Sequence, residues 1–257
     1  MTFQPLVGTV GYAGWRLLTR TVEMQKTIVA RDPGIVRDNE HMRAKIGQLG
    51  SAEELVSDFR LLRTALSAFG LEADVNKKFF IRKILESDLE DSKSFANRLS
   101  DKRYRAMAEA FGFARGKARP AGLGDRIAER HVAAELERRV GTVDGNLRLA
   151  MNAQRELATI GGSGSGDNAR WYGILGSMPL RKVMEGALGL GSNFGKLPVE
   201  RQLDEVKSRA DRMLGIKSPS DFTDATKVEK LIQRFLLRAE AVTAPQTSYN
   251  IALALLQ

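Results

Sequence analysis

Four short segments of the chain place a glycine between two large hydrophobic residues, each at the end of a charge-rich stretch with helical apolar spacing. Glycine readily takes the left-handed conformation that ends a helix, and the apolar residue after it folds back onto the last turn. Each segment therefore predicts a helix end, and together they predict a chain built from helices. The segments are Ala68–Leu71, Ala110–Phe113, Ala187–Leu190 and Met213–Ile216.

The spacing of apolar residues elsewhere also follows the helical repeat, and no alternating pattern lies between hairpin turns. We therefore predict an all-α, multihelical fold. With 257 residues the chain can bury a substantial core. We predict one helical half at 1–120 and a diverged helical half at 121–257, with a basic, Gly/Pro-rich connection at 114–124 as the hinge. The halves are either a diverged duplication or a convergent use of one capping motif, packed into one compact unit.

Individual segments give more specific expectations. We expect a single helix from Ala52 to Phe69 with Phe59 on its apolar face, and a second helix whose apolar stripe includes Phe79. Trp15 and Trp171 each open a half on an apolar helical face, so we expect both in the core. The composition of Gly161–Asn168 is that of a flexible loop.

Composition excludes several classes of protein. The chain has no cysteine, which excludes a disulfide framework, a thiolate zinc site and a cysteine nucleophile. No stretch is long and apolar enough to span a bilayer, and the first ten residues lack the pattern of a secretory signal peptide. We therefore expect a cytoplasmic protein, or one exported without a cleaved signal.

The two histidines, His41 and His131, are the residues closest to a metal-binding pattern. His131 and Glu135 lie one helical turn apart and could supply two metal ligands, but a complete ligand set would need further carboxylates. The alternative is that His131 lies on a solvated helix surface, and this is the interpretation we favour. We expect His41 to be exposed in a charged helix.

Catalytic motifs are missing from the sequence. Gly112-x-x-x-Gly116-Lys117 has the wrong spacing for a P-loop and no strand before it, and no nucleophile elbow is present. No carboxylate falls in an apolar stripe where burial would raise its pKa. We therefore predict no catalytic, cofactor-binding or metal-binding residues, and no cofactor.

A basic cluster provides the best candidate site for a polyanion. The formal net charge of +9 supports such a search. Tyr104 and Phe113 are interleaved with the basic residues, but no known nucleic-acid-binding module surrounds them. A solvated helix end next to the hinge is the alternative. The members of the cluster are Lys102, Arg103, Arg105, Arg115, Lys117 and Arg119.

Several long motifs carry a family resemblance. They are Leu61–Leu71, Phe79–Glu86, Phe95–Tyr104 and Ala110–Phe113 in the first half, with Gly14–Arg16, Pro179–Val183, Phe194-Gly195 and Lys230–Leu236 elsewhere. These motifs resemble a bacterial all-helical domain family of unknown function, whose members are often encoded among flagellar genes. The family carries no known catalytic residues, so the resemblance implies a helical fold and gives no site to transfer.

The end of the chain carries a second, shorter likeness. Ala244–Thr247 followed by Ala252–Gln257 is similar to the carboxyl-terminal segment of flagellins, in which an apolar tail pairs with an amino-terminal helix. An apolar tail must pack against something or bind a partner helix. The residues that we expect to make this contact are Ile251, Leu253, Leu255 and Leu256.

Three hypotheses for the function follow. The first is a non-enzymatic helical protein of flagellar structure, export or assembly, which contacts flagellar or other helical proteins and binds no nucleic acid. The alternative is a basic helical module that binds nucleic acid or an acidic protein partner. The third is a helical enzyme whose polar groups converge only in three dimensions, which requires a pocket that contains grouped polar residues.

Overall fold

The computed structural model describes residues 3–115 and 119–243. These residues form α-helices and short 3-10 helices and contain no β-strand, so the predicted all-α fold is confirmed. None of the helices in this part of the chain combines the length and the apolar character needed to cross a membrane. The α-helices are α1 (Gly11–Ala30), α2 (Pro33–Ile46), α3 (Ala52–Ser57), α4 (Phe59–Ala68), α5 (Lys78–Leu85), α6 (Phe95–Arg98), α7 (Lys102–Phe111), α8 (Leu123–Gly141), α9 (Gly145–Gly161), α10 (Asp167–Gly176), α11 (Met178–Leu188), α12 (Val199–Leu214) and α13 (Ala225–Thr243). The 3-10 helices are Glu72–Asp74, Phe113–Arg115, Phe194–Lys196 and Pro219–Thr223.

The four glycine-centred helix ends are confirmed. All four glycines have φ between 62° and 68°, in the left-handed region. After α4, the Gly70 amide donates to the Ser67 carbonyl at 2.9 Å, and the Leu71 amide donates to the Leu66 carbonyl at 2.8 Å. Leu71 is buried, so this glycine both satisfies the last carbonyls of α4 and turns the next apolar residue into the core.

The single helix expected from Ala52 to Phe69 is wrong, because the chain breaks at Asp58. Asp58 has extended backbone angles (φ −83°, ψ 104°), and its carboxylate accepts hydrogen bonds from the Arg60 and Leu61 amides. It therefore caps the start of α4. The break turns Phe59 away from the core and leaves it exposed. His41, which we expected to be exposed, is half-buried, and its Nε2 lies 2.6 Å from the other oxygen of Asp58.

The described chain divides into two compact units. Unit one consists of residues 3–7, 17–115 and 119–143, and unit two of residues 8–16 and 144–243. The division therefore differs from the predicted boundary between 120 and 121. The difference arises because α8 packs against α2 and α4, so this helix belongs to the first unit. The last two residues of the predicted hinge, 123 and 124, are the first two residues of α8.

Unit one is built around the packing of α2, α4 and α8. Helices α3, α5, α6 and α7 pack around one another beside this group. The shared core consists of apolar side chains with almost no exposed surface, including Met42, Leu55, Leu62, Leu66, Ile81, Ile84, Met107 and Phe111. The segment before α1 is held by Gln25, whose buried amide group exchanges two hydrogen bonds with the backbone of Leu6.

Unit two is built around α9, α11 and α13. Trp171 on α10 is fully buried and meets the Phe222 ring edge to face, with 6.0 Å between centroids. Trp15 is also buried, and its indole Nε1 donates to Glu229 at 3.0 Å. Both tryptophans are core residues, as predicted, and both lie in this unit.

The Gly/Ser-rich loop is shorter than the composition suggests. Helix α9 continues to Gly161 and α10 begins at Asp167, so only 162–166 lie outside the two helices. Arg170 accounts for the difference. Its guanidinium donates to the Gly161 carbonyl at 2.7 Å and to the Asp167 carboxylate at 2.6 Å, so one side chain stabilises both helix ends.

Two glycine substitutions in unit two test this packing. A Cβ atom at Gly161 would lie 2.9 Å from the Pro219 carbonyl oxygen and 3.1 Å from the Thr223 amide nitrogen. Gly161→Ala is therefore expected to destabilise the unit by about 1–3 kcal/mol. Gly173 in α10 has open space around the same position, so Gly173→Ala is expected to stabilise by about 0.5–1 kcal/mol. Urea unfolding followed by tryptophan fluorescence measures both, and equal stability of the two variants would contradict the close packing at Gly161.

Candidate functional site

Unit one contains a polar cleft of about 500 Å³ lined by α2, α4 and α8. Charged side chains on its walls come from separate parts of the sequence and converge only in the fold. Its charged and polar lining residues are Asp32, Asp38, Arg63, Ser67, Glu72, His131, Glu135, Arg138 and Arg139. The cleft is thus the pocket of grouped polar residues that the enzyme hypothesis requires.

Helical spacing brings these side chains together. On α8, His131, Glu135, Arg138 and Arg139 lie at positions i, i+4, i+7 and i+8, which share one face of a helix. On α4, Arg63 and Ser67 are one turn apart and face the same cleft. Asp38 and the neighbouring Asn39 come from α2, where both are buried.

Arg139 is the most enclosed cation of the cleft, with 7% of its side chain exposed. Its Nε donates to Glu135 at 2.7 Å, and its Nη2 donates to Asp32 at 2.8 Å. Asp32 also caps α2 by accepting from the Gly34 amide at 2.9 Å. One guanidinium therefore connects the last two turns of α8 to the N-cap residue of α2.

Two carboxylates of the network, Asp32 and Glu135, have lowered pKa values. The hydrogen bond from Arg139 is the main reason that the pKa of Asp32 lies below its ordinary value. Burial opposes the ionisation of Glu135, but hydrogen bonds from Arg138 and Arg139 outweigh it and lower the pKa of this carboxyl. Asp38 is paired as well, with Arg63 at 2.5 Å and Arg60 at 3.5 Å. Some carboxylates of the cleft are thus buried, but in neither Asp32 nor Glu135 does burial raise the pKa above its ordinary value.

His131 is only 4% exposed, so the predicted solvated surface is wrong. Its Nδ1 lies 2.8 Å from Oδ1 of the buried Asn39. Because an amide oxygen can only accept, Nδ1 carries the proton and Nε2 carries a lone pair. Burial lowers the pKa of the ring, and the charges of Asp38 and Glu135 offset this only in part. Within 3–115 and 119–243, no three His, Asp or Glu side chains are grouped to hold a metal ion.

The described members of the basic cluster form hydrogen bonds and ion pairs within unit one. Lys102 donates to the carbonyls of Asn97 and Leu99, and Arg103 donates to Asp101 and to the Gly70 carbonyl. Arg105 contacts Asn97 and Glu109. These bonds stabilise helix ends and turns. The three cations therefore serve the fold, and they do not form a patch that is directed wholly toward solvent.

The remaining members of the cluster are described only in part. Arg119 donates to the Phe111 carbonyl, and its guanidinium lies 4.1 Å from the centroid of the Phe113 ring. The Arg115 side chain and Lys117 lie outside the described structure, as do the predicted tail contacts Ile251, Leu253, Leu255 and Leu256. The tail contacts therefore stay a prediction.

A third surface in unit one surrounds Phe79, which the sequence places in an apolar stripe. That placement is wrong, because Phe79 is 66% exposed. Ile81, Ile84 and Leu85 form the buried face of α5, and Phe79 lies on another face of the helix. Arg82 and Lys83 lie against its ring, 5.2 Å and 5.7 Å from the centroid.

The His131 environment predicts a pH dependence. The buried ring resists protonation, whereas the unfolded chain takes up a proton at the ordinary histidine pKa of 6.5. The unfolded state then binds more protons as the pH falls, so stability present above pH 6.5 is lost below it. We expect the His131 ring to titrate below 6.5 in an NMR pH titration, with His131→Asn identifying its signal. A ring that titrates at or above 6.5 would contradict its burial.

Comparison with known proteins places the chain in a family. No curated protein is significantly similar to it. The crystal structure of protein AGR_C_984 from Agrobacterium tumefaciens is similar with a TM-score of 0.76 and 27% sequence identity, over 95% of this chain and 99% of that one. The family model described as a protein of unknown function (DUF1217) matches residues 68–228, which is more than half of the sequence. The chain therefore belongs to this family, and the expected likeness to an all-helical family of unknown function is confirmed.

Proposed function

We propose that the chain is a non-enzymatic helical protein of flagellar structure, export or assembly, and that it acts through helix–helix contacts with other proteins. The observation that supports this most directly is the display of Phe79 on α5. The ring is 66% exposed, although Ile81, Ile84 and Leu85 of the same short helix are fully buried. An aromatic side chain on the outer face of a helix that is already packed is available to a partner.

The surroundings of Phe79 favour a protein over a nucleic acid. Arg82, which lies against the ring, also pairs with Glu53 at 2.5 Å and lies 3.7 Å from Glu86. The two carboxylates would repel a phosphate backbone. An exposed aromatic residue with charges of both signs around it is typical of the centre and rim of a protein interface.

Unit two offers a second surface of similar character. Met178, in the first turn of α11, is 69% exposed. It lies at a shallow cleft whose other walls include Leu175, Leu190 and Arg181. Methionine adapts its shape readily to an apolar partner, so this surface supports a binding function as well.

The flagellar part of the proposal rests on sequence. The first-half motifs resemble a family whose members are often encoded among flagellar genes, and the last residues are similar to the end of flagellins. We propose flagellar or other helical proteins as partners, with Ile251, Leu253, Leu255 and Leu256 as contacts of the tail. The protein would act in the cytoplasm, or leave it through the flagellar apparatus without a cleaved signal.

Phe79→Ala tests the proposal in the bacterium that encodes the chain. Because the side chain is exposed, the substitution should change the free energy of unfolding by less than about 0.5 kcal/mol. Swimming and the secretion of flagellar subunits are expected to fall. Phe59→Ala is the matched control, since Phe59 is also an exposed phenylalanine with a guanidinium, that of Arg63, near its ring. Normal swimming and secretion with Phe79→Ala would contradict the role of this surface.

The same assay applied to a chain without residues 246–257 tests the tail. If motility, secretion and self-association are all unchanged, the tail is not a partner contact. An internal tag at Gly164, compared between normal cells and cells without the flagellar export gate, reports where the protein goes. Its appearance in the medium only with a working gate would support export.

A further inference from the structure

The polar cleft of unit one has hydrogen-bond donors that its own network does not use. Arg63 donates to Asp38 through Nη2 alone. Arg138 donates to Glu135 through both Nε and Nη2, which makes this pair bidentate. Both side chains are about half exposed, at 52% and 48%. Each guanidinium has five N–H donors, so N–H groups from α4 and α8 remain available at the cleft.

His131 adds a group that can change its hydrogen-bonding role. Its Nδ1 is fixed by Asn39, and Nε2 makes no hydrogen bond within the described residues. His131 lines the cleft, so Nε2 is the ring nitrogen left to interact with a molecule bound there. It accepts a hydrogen bond when the ring is neutral and donates one when the ring is protonated.

The charges that face His131 are otherwise balanced. Asp38 comes from α2, Arg63 from α4 and Glu135 from α8, with Arg138 and Arg139 further along α8, and Asp32 and Glu72 at the ends of the cleft. With Arg60, which pairs with Asp38, four arginines oppose four carboxylates. When His131 takes up a proton, the cleft therefore carries one positive charge that none of its carboxylates balances.

We infer that the cleft binds a small organic molecule through one oxyanion group, a carboxylate or a phosphate, and that His131 takes up a proton as the anion binds. The remaining N–H groups of Arg63 and Arg138 hold the oxyanion, and the protonated Nε2 donates the third hydrogen bond. Charge-assisted bonds from guanidinium groups are the usual way to recognise both anions. A volume of about 500 Å³ lies within the range of pockets that enclose small organic ligands, so the rest of the ligand fits beside its anionic group.

The proton linkage fixes the direction of the pH effect. Binding of an anion stabilises the charged form of His131, so it raises the pKa of the ring. By reciprocity, the anion binds more tightly when the ring is already protonated. A rise of one pKa unit corresponds to an affinity about tenfold higher at low pH than at high pH.

Sulfate is a suitable first probe because its own charge does not change between pH 5.5 and 7.5. The chain has only two histidines, so NMR resolves the His131 ring directly in the full-length protein. Sulfate, titrated against chloride at equal ionic strength, is expected to shift the His131 signal and raise its pKa. We expect sulfate to bind more tightly at pH 5.5 than at pH 7.5. Methyl phosphate and propionate, tested separately at constant pH, then distinguish phosphate from carboxylate ligands.

Two arginine variants test the geometry. Arg138→Gln leaves Glu135 paired with Arg139, and Arg63→Gln leaves Asp38 close to Arg60, so neither exposes an unpaired carboxylate. Each is expected to weaken sulfate binding by about tenfold or more. Arg37→Gln, an exposed arginine on α2, is the matched control and should leave binding unchanged.

Several results would overturn the inference. These are no sulfate effect on the His131 signal beyond that of chloride, an affinity that does not depend on pH, or equal binding by the cleft variants and Arg37→Gln. The first two readouts use the unmodified protein, so they hold even if a variant folds poorly. None of them depends on the flagellar proposal, which is tested by motility and secretion.

Discussion

The buried guanidinium of Arg139 is the interaction on which the first unit depends most. It joins Glu135 on its own helix to Asp32, the residue that caps α2. Removing a charge from water is costly, and the cost is offset here because two carboxylates share the guanidinium. Helices α2, α4 and α8 pack against one another around apolar residues that include Met42, Leu62 and Ile127. The polar cleft is the side of this packing where the charges lie.

The same network explains why the cleft is hard to interpret as a catalytic centre. Asp32 and Glu135 have lowered pKa values because arginines hold them, whereas a general acid needs the opposite shift. Most of its charged groups therefore stabilise the fold. The exposed residues Phe79 and Met178 have no comparable structural role in the core, which is why the proposed function places protein contacts there. The cleft and these surfaces are separate features, and each can be tested without the other.

The sequence predicted the helix ends and the all-α fold well, because both depend on local patterns. The left-handed glycines and the two core tryptophans are examples. The break at Asp58 was missed because apolar spacing continues across it, and only the capping role of the carboxylate ends one helix and starts the next.

The cleft was missed because α8 buries residues on almost every side, including His131, Glu135 and Glu137. Without a single apolar stripe, its charged residues were taken for a solvated surface. The spacing of His131, Glu135 and Arg139 was the available signal, but their partners Asp32 and Asn39 lie about a hundred positions away in the chain.

The most direct test of this account compares Arg139 with its neighbour Arg138. Both bind Glu135, but Arg139 is almost fully buried and Arg138 is half exposed. Hydrogen exchange of the α2 and α8 amides in the full-length chain measures the local stability of each variant. Arg139→Met is expected to lower the free energy of opening of these helices by about 3–5 kcal/mol, because Asp32 loses its partner and Glu135 keeps only the exposed one. Arg138→Met should cost less than about 1 kcal/mol. Equal losses in the two variants would contradict the central role of the buried guanidinium.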